Sequence, residues 1–280
     1  MSVAPRVLLT IDYEPWFALT RRYDAWRDPA QRRALDGGFT LQALDPLLEQ
    51  LGEAQASFYL VGEIAEWYPQ IPEKIVAAGH ELGFHCQFHR SLVSPAELER
   101  DLAASAAWRE RFQVCGYRAP MVGIDEAAYA TLAQNGFTYS SSIYAPSGTL
   151  LQKSGVWEIP VSTLPLLKQP TDLNAPRKFT FNLLAQGEIP YGSSLLTGLM
   201  PGVNLKIIER DLRAGLSPVI FLHPYELVRP PRFLRRMARD LAAHPLLFPF
   251  TLNKSNFLKT LLRNFPVSTL KTYLDEALHA

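Results

Sequence analysis

Four short apolar runs in this chain each stop on an ionisable side chain and then turn into a loop. Val7-Leu8-Leu9-Thr10-Ile11 ends in Asp12, with Glu14 two residues further on. "HELGF" ends in His85, the short run through Gly116-Tyr117 ends in Arg118, and "PVIFL" ends in His223. A continuously apolar strand is buried on both faces, which is the pattern of a parallel sheet covered by helices. In a parallel α/β barrel the carboxyl ends of the strands share one face, and the loops leaving them build the site. A single charge at one strand end has a bland explanation; four on separate strands do not.

The remaining sequence fits this frame. Strand candidates "VLLTID", "ASFYLVG", "HELGFH", "GYRAP", "FTYSSSI", "VWEIPVS" and "PVIFLH" alternate with helix-like segments such as "PEKIVAAG", "SPAELERDLAASAAWRERF" and "DEAAYATLAQNG". The second of these opens on Ser94 as N-cap, with Pro95 in the first turn and Glu97 three residues after the cap. The third stops at Asn135-Gly136. Pro46 either kinks the helix in "TLQALDPLLEQL" or begins it after an Asp45 cap. Residues 164–203 carry scattered prolines and glycines with weak periodicity, and are expected to be long loops. A helical tail is expected from about 229 to 280, and within it "NKSNFLKTLLRNFPVSTLKTYLDEALHA", residues 253–280, predicts two amphipathic helices parted near Pro266, with Ser268 capping the second. Strand–helix alternation gives either a barrel or a doubly wound sheet. With no linker in sight, residues 1–280 are expected to form one domain.

Composition narrows the function classes. A chain of 280 residues, 48% hydrophobic and 20% charged, can bury one large core. A formal net charge of +1 gives no global field for nucleic acid, and none is expected as a partner. Cys86 and Cys115 cannot build a disulfide framework and read as small core residues in a reducing compartment. "MSVAPRVLLT" enters the first strand without a signal-like apolar stretch, and no run approaches the ~18–20 apolar residues of a membrane span. A cytoplasmic location is the expectation, with no transmembrane segment and peripheral association with a membrane still open.

Asp12 and Glu14 project from the same side of the pleat, and His85 and His89 have the H-x-x-x-H spacing that brings two imidazoles together. Two imidazoles and one carboxylate make a three-ligand face for Zn²⁺ with a position left for water. The first strand supplies that carboxylate and leaves a second beside it. One acid can bind the metal while the other takes the proton from the water; the residues alone leave open which does which. The same two histidines and acid would also suit the facial triad of a non-haem Fe(II) oxygenase, but that reading gives Asp12, Arg118 and His223 no role. His80, after Gly79 at a helix stop, reads as structural.

Taken together these residues resemble the polysaccharide deacetylase family, also called NodB-homology or carbohydrate esterase family 4. The family's first motif, T-F-D-D, stands here as Thr10-Ile11-Asp12-Tyr13-Glu14, a D-x-E variant. The second, H-S/T-x-x-H, matches His85-Cys86-Gln87-Phe88-His89, with Cys86 where a hydroxyl is usual. The third, R-x-P, is Arg118-Ala119-Pro120. The fourth corresponds to "YSSSIY", with Ser140 replacing the Asp that supports the general acid, and the fifth to His223 in "FLHPYEL".

The resemblance implies a single distorted (β/α) barrel of about seven parallel strands and a divalent metal, Zn²⁺ for this donor set, held by Glu14, His85 and His89. It implies Asp12 as catalytic base, Arg118 orienting it, the backbone N–H of Met121 in the oxyanion hole, and His223 as general acid. The implied reaction removes an N-acyl group, acetyl or formyl, from an amino sugar of envelope or exopolysaccharide synthesis, free or carried on a nucleotide or lipid. The alternative is a silent carbohydrate-binding relative, to which Ser140 and the shifted acid point. Trp16, Phe17, Tyr23 and Trp26 could face a sugar or pack their own loop. The pairs Arg21-Arg22 and Arg32-Arg33 could meet a phosphate or lie in solvent.

Overall fold

The structure, a computed structural model, describes residues 3–20, 23, 28–92, 94–179 and 181–279. Its strands are β1 (Val7–Tyr13), β2 (Ser57–Val61), β3 (Glu81–Cys86), β4 (Gly116–Tyr117), β5 (Tyr139–Ser140), β6 (Tyr144–Pro146), β7 (Leu151–Lys153), β8 (Val156–Glu158), β9 (Val161–Pro165), β10 (Glu188–Ile189), β11 (Val219–Leu222) and β12 (Val267–Ser268). Seven of them run parallel in the order β11-β1-β2-β3-β4-β5-β8, the number expected. β7 adds an antiparallel edge beside β8, and β12 pairs with the start of β1. Every residue of β1 and β2 is buried, as their unbroken apolar sequence requires.

The sheet is curled rather than closed by its own strands. β6 and β9 pair in parallel, β10 joins them antiparallel, and this small sheet spans the gap. Its link to β11 runs through Val219 N–H to Ser162 Oγ (2.8 Å) and Phe221 N–H to Gly192 O (2.9 Å). "VWEIPVS", read as one strand, is therefore two. The break falls at Pro160, which has no N–H: Ile159 donates back to Ser140 O, whereas Val161 donates to Ile143 O. Tyr59 and Tyr139 fill the interior where a neighbour has no side chain. A Cβ on Gly83 would stand 2.6 Å from the Tyr59 ring, and one on Gly116 would stand 2.2 Å from Tyr139.

The helix Pro95–Arg111 starts as predicted: Ser94 accepts from the Glu97 N–H. The helix Ala128–Gln134 gives way to Asn135 and to Gly136 at φ 81°. Pro46 lies inside the helix Phe39–Leu51 and does not begin it. His80 is buried against Phe58 and accepts from Ala56 N–H, a structural histidine. Two expectations need correcting. Residues 164–203 contain β10 and the short helices Phe181–Ala185 and Ser194–Leu199, and a longer helix runs Pro201–Arg213. Ser268 belongs to β12, and Thr269 instead accepts from Thr272 N–H (3.1 Å) at the start of the helix Leu270–His279. Among the described residues, no helix is long and apolar enough to cross a membrane.

Candidate active site

β1 delivers Asp12 to its penultimate position and Glu14 just beyond its end; β3 delivers His85, and the irregular turn after it carries His89. Arg118 follows β4, and His223 follows β11. All are buried. Asp12, Glu14, His85, His89, Met121 and His223 line one pocket of about 220 Å³, together with Tyr144, Phe179, Phe221 and Phe250.

Glu14 is the hub. One carboxylate oxygen lies 2.8 Å from His89 Nε2 and 3.5 Å from His85 Nε2. The other accepts from the Tyr225 hydroxyl (2.8 Å) and lies 3.6 Å from His223 Nε2. Burial pushes the Glu14 carboxyl up, but the positive charge of His89 and His223, with hydrogen bonds from His85 and His89, outweighs it. The group is held well below the usual carboxylate range. Burial pulls His89 down, and Glu14 more than reverses this.

The donor atoms of Glu14, His85 and His89 all lie within 4.8 Å of one another. His85 Nδ1 is 2.7 Å from the Arg118 carbonyl, which only accepts, so Nδ1 carries a proton; in the neutral ring this leaves Nε2, on the Glu14 side, as the nitrogen that offers a lone pair to an ion. His89 is fixed from behind: its backbone N–H donates to the Tyr23 hydroxyl (2.9 Å), Tyr23 donates to Glu63, and Arg32 Nε donates to Glu63 (2.8 Å). Two oriented imidazoles and a carboxylate fit a divalent ion of the zinc type.

Asp12 faces Arg118. Nη1 of Arg118 is 3.4 and 3.5 Å from the two Asp12 oxygens, long contacts for a charged pair. Nη2 donates to Ser141 Oγ (2.9 Å), and the guanidinium lies over the Tyr59 ring at 4.8 Å. After Pro120 the chain turns sharply. Met121 and Val122 both take left-handed backbone, φ 56° and 52°, which is uncommon for Met and costlier for β-branched Val. Such conformations cost on the order of 1–3 kcal/mol each and gather at functional sites.

His223 is held by a group that its motif did not reveal. Its Nδ1 lies 3.1 Å from Glu226 Oε2, an ion-pair distance whose angle falls outside good hydrogen-bond geometry; the same oxygen accepts the His223 backbone N–H (2.9 Å). Glu226 also pairs with the buried Lys254 and accepts from Ser194 Oγ (2.7 Å). Burial pushes the Glu226 carboxyl up, but Lys254 and His223 bring it below its ordinary value. Burial pulls His223 down, and Glu226 and Glu14 more than restore it. Ser140 is remote from these contacts: it donates to Ser142 Oγ (2.8 Å), beside Glu158. The spacing His223-x-x-Glu226, a capping-box pattern, was the available signal for Glu226. Nothing local signals Lys254 or Tyr225.

Several sequence expectations fall elsewhere. Trp16, Phe17 and Tyr23 are core, not pocket lining: Trp16 packs edge-on against Phe17 and Phe233, and Phe17 stacks on Tyr23. Arg32 is buried on Glu63, and Arg33 lies over the Tyr68 ring. Trp26, Arg21 and Arg22 lie outside the described residues. Cys86 is buried and free, and donates nothing to the metal-type cluster; Cys115 is half-buried and also free. The aromatic pocket walls come instead from Phe179, Phe221, Phe250 and Tyr144.

No protein-family model matches this sequence, and no curated protein matches it. Solved structures do match. A Mycobacterium smegmatis protein described as a candidate polysaccharide deacetylase superposes with a TM-score of 0.56 at 20% identity, over 96% of this chain and 98% of that one. PuuE allantoinase gives 0.53 at 14% identity, over 94% and 91%. A CE4-family pseudoenzyme from Bacillus anthracis gives 0.50 at 12%, over 99% of this chain and 67% of that one. The structural neighbours thus include polysaccharide deacetylases of the CE4 family, and the fold is the curled parallel barrel of that group. The same fold carries an allantoinase and a pseudoenzyme, so chemistry has to be argued from the site.

Proposed function

We propose that this protein is a metal-dependent hydrolase that removes an N-acyl group, acetyl or formyl, from an amino sugar. The observation that carries this reading is the convergence of Glu14, His85 and His89 in one pocket that also holds Asp12 against Arg118 and His223 against Glu226. A three-donor set alone would suit several metalloenzymes; a second carboxylate and a third imidazole beside it supply a base and an acid.

Glu14, His85 and His89 hold the ion, zinc being suited to this donor set. When bound, a divalent ion supplies Lewis acidity, polarising an acyl carbonyl and making water more acidic. Asp12 accepts the proton of the attacking water while Arg118 holds its carboxylate in place. The backbone N–H of Met121, on the strained turn at the pocket wall, donates to the acyl oxygen as charge builds there. His223 then gives a proton to the departing nitrogen, with Glu226 stabilising the protonated ring. This takes over the support that the Asp missing at Ser140 would have given.

The test is mass spectrometry of N-acetylated and N-formylated amino sugars incubated with zinc-loaded protein. Loss of the acyl group, abolished by Asp12→Asn, supports the reading. The B. anthracis pseudoenzyme gives a specific reason to consider the second reading, a silent glycan-binding protein. Glycan binding without turnover by the zinc-loaded wild type would establish that reading instead.

A further inference from the structure

The Arg-rich helix Phe233–Ala243 and the segments beside it play no part in the chemistry above. From residue 229 to 243 the sequence RPPRFLRRMARDLAA holds five arginines and one acid, a local surplus of four positive charges in a chain whose net charge is +1. Phe233 and Met237 anchor the helix in the core, and the Arg236 guanidinium lies over the Trp16 ring. Arg232, Arg235 and Arg239 repeat at helical spacing on an exposed face, with Leu234 exposed beside them.

The neighbouring surface is apolar. Leu199, Met200, Val203, Leu246 and Phe248 are all about half exposed. They lie on adjoining pieces of chain: a Cβ on Gly198 would stand 2.4 Å from Pro249 O, so the helix Ser194–Leu199 touches the 3₁₀ segment Pro245–Thr251 directly. That segment also packs on the Arg-rich helix. Leu195 and Phe250, on these same two pieces, line the catalytic pocket, which places the patch at the pocket's rim.

We infer that this face docks on an anionic lipid bilayer and that the pocket works on a substrate presented at that surface on a lipid anchor. Side chains that insert at the acyl boundary, flanked by arginines for the headgroups, are what an interfacial anchor needs. Charge complementarity selects the occupant: Arg232, Arg235 and Arg239 share one exposed face, and the segment packed on that helix carries exposed apolar side chains. A nucleic-acid groove would instead call for an extended basic track. The clause about the substrate rests on the hydrolase reading; the docking does not.

Flotation of the full chain with phosphatidylcholine vesicles, with and without phosphatidylglycerol, tests the docking. Binding is expected with the anionic vesicles and is expected to weaken as salt rises. Each arginine near such a surface is worth roughly a five-fold change in partitioning, so Arg235→Ala with Arg239→Ala should weaken it about thirty-fold. Leu246→Ser with Phe248→Ser should weaken it at every salt concentration. Both pairs should leave turnover of a soluble N-acylated sugar unchanged. Absence of flotation with either vesicle overturns the inference, as does equal binding to both, or binding to RNA or heparin but not to vesicles. Flotation without turnover of any acylated sugar would remove the hydrolase reading and leave the docking face standing.

Discussion

Glu226 offers the sharpest perturbation, because one carboxylate faces both the proposed acid and a buried ammonium. Glu226→Gln keeps the shape and an accepting oxygen but removes the charge between His223 and Lys254. Lys254 is 2% exposed, so it is left as a buried cation without its counter-charge. Breaking a buried pair on one side costs about 3–5 kcal/mol; the retained acceptor argues for the lower end, about 3 kcal/mol. At roughly 2–4 °C per kcal/mol for a chain of this size, Tm should fall by about 6–12 °C. His223 would lose the anion that supports its protonated form, and a misplaced acid costs about 10²–10⁴ in rate. Adding Lys254→Met separates the two effects, since replacing both partners of a buried pair is often neutral. The double variant should melt within a few degrees of wild type and still hydrolyse at least about 10²-fold more slowly, measured by calorimetry and acyl release on the same samples. Recovery of the rate along with the stability would refute the reasoning and leave Glu226 a purely structural partner.

Asp12→Asn should retain bound zinc and lose roughly 10²–10⁴ in rate, whereas His89→Ala should lose the zinc itself, both read by metal analysis beside an activity assay; zinc lost equally from the two would make Asp12 a ligand. His89 and His223 are raised above the ordinary imidazole value of 6.5. Their contribution to metal-free stability is therefore full below about pH 6.5 and lost as pH rises through the raised values. Ion binding requires neutral ligands, so added zinc should raise Tm more at pH 8 than at pH 6. Glu14 and Glu226 are lowered, so their contribution is present above about pH 4.5 and lost in acid as pH falls through the lowered values; chelator-treated protein should show this as an acid-side fall in urea midpoint. Ser140→Asp should not raise the rate and should lower Tm, because it sets a second carboxylate beside the buried Glu158, already pushed up by burial.

The frame of this molecule was legible because buried parallel strands must be apolar throughout, so an ionisable group at a strand end stands out. That is how Asp12, His85, Arg118 and His223 could be found together. Positions after a strand end were harder. Trp16, Phe17 and Tyr23 follow β1 as a possible sugar platform would, yet they pack inward, and the distinction depends on where a loop folds back. Arg32 looked free in sequence and is buried on Glu63, thirty-one residues away. Lys254 could not be linked to His223 from sequence, since its partner Glu226 lies 28 residues earlier and the contact exists only once the tail has packed. Ser140 looked like a loss of the carboxylate beside His223; a carboxylate stands there instead from Glu226, on the turn that carries His223. Pro160, with no N–H to give a ladder, marks where one apparent strand becomes two.

The most direct measurement is acyl release from an N-acetylated amino sugar, followed against stoichiometric zinc titrated into metal-free wild type and into His89→Ala. The account predicts release rising with zinc to one equivalent in the wild type and no release from the variant. Release that is independent of zinc, or undiminished in His89→Ala, would contradict it.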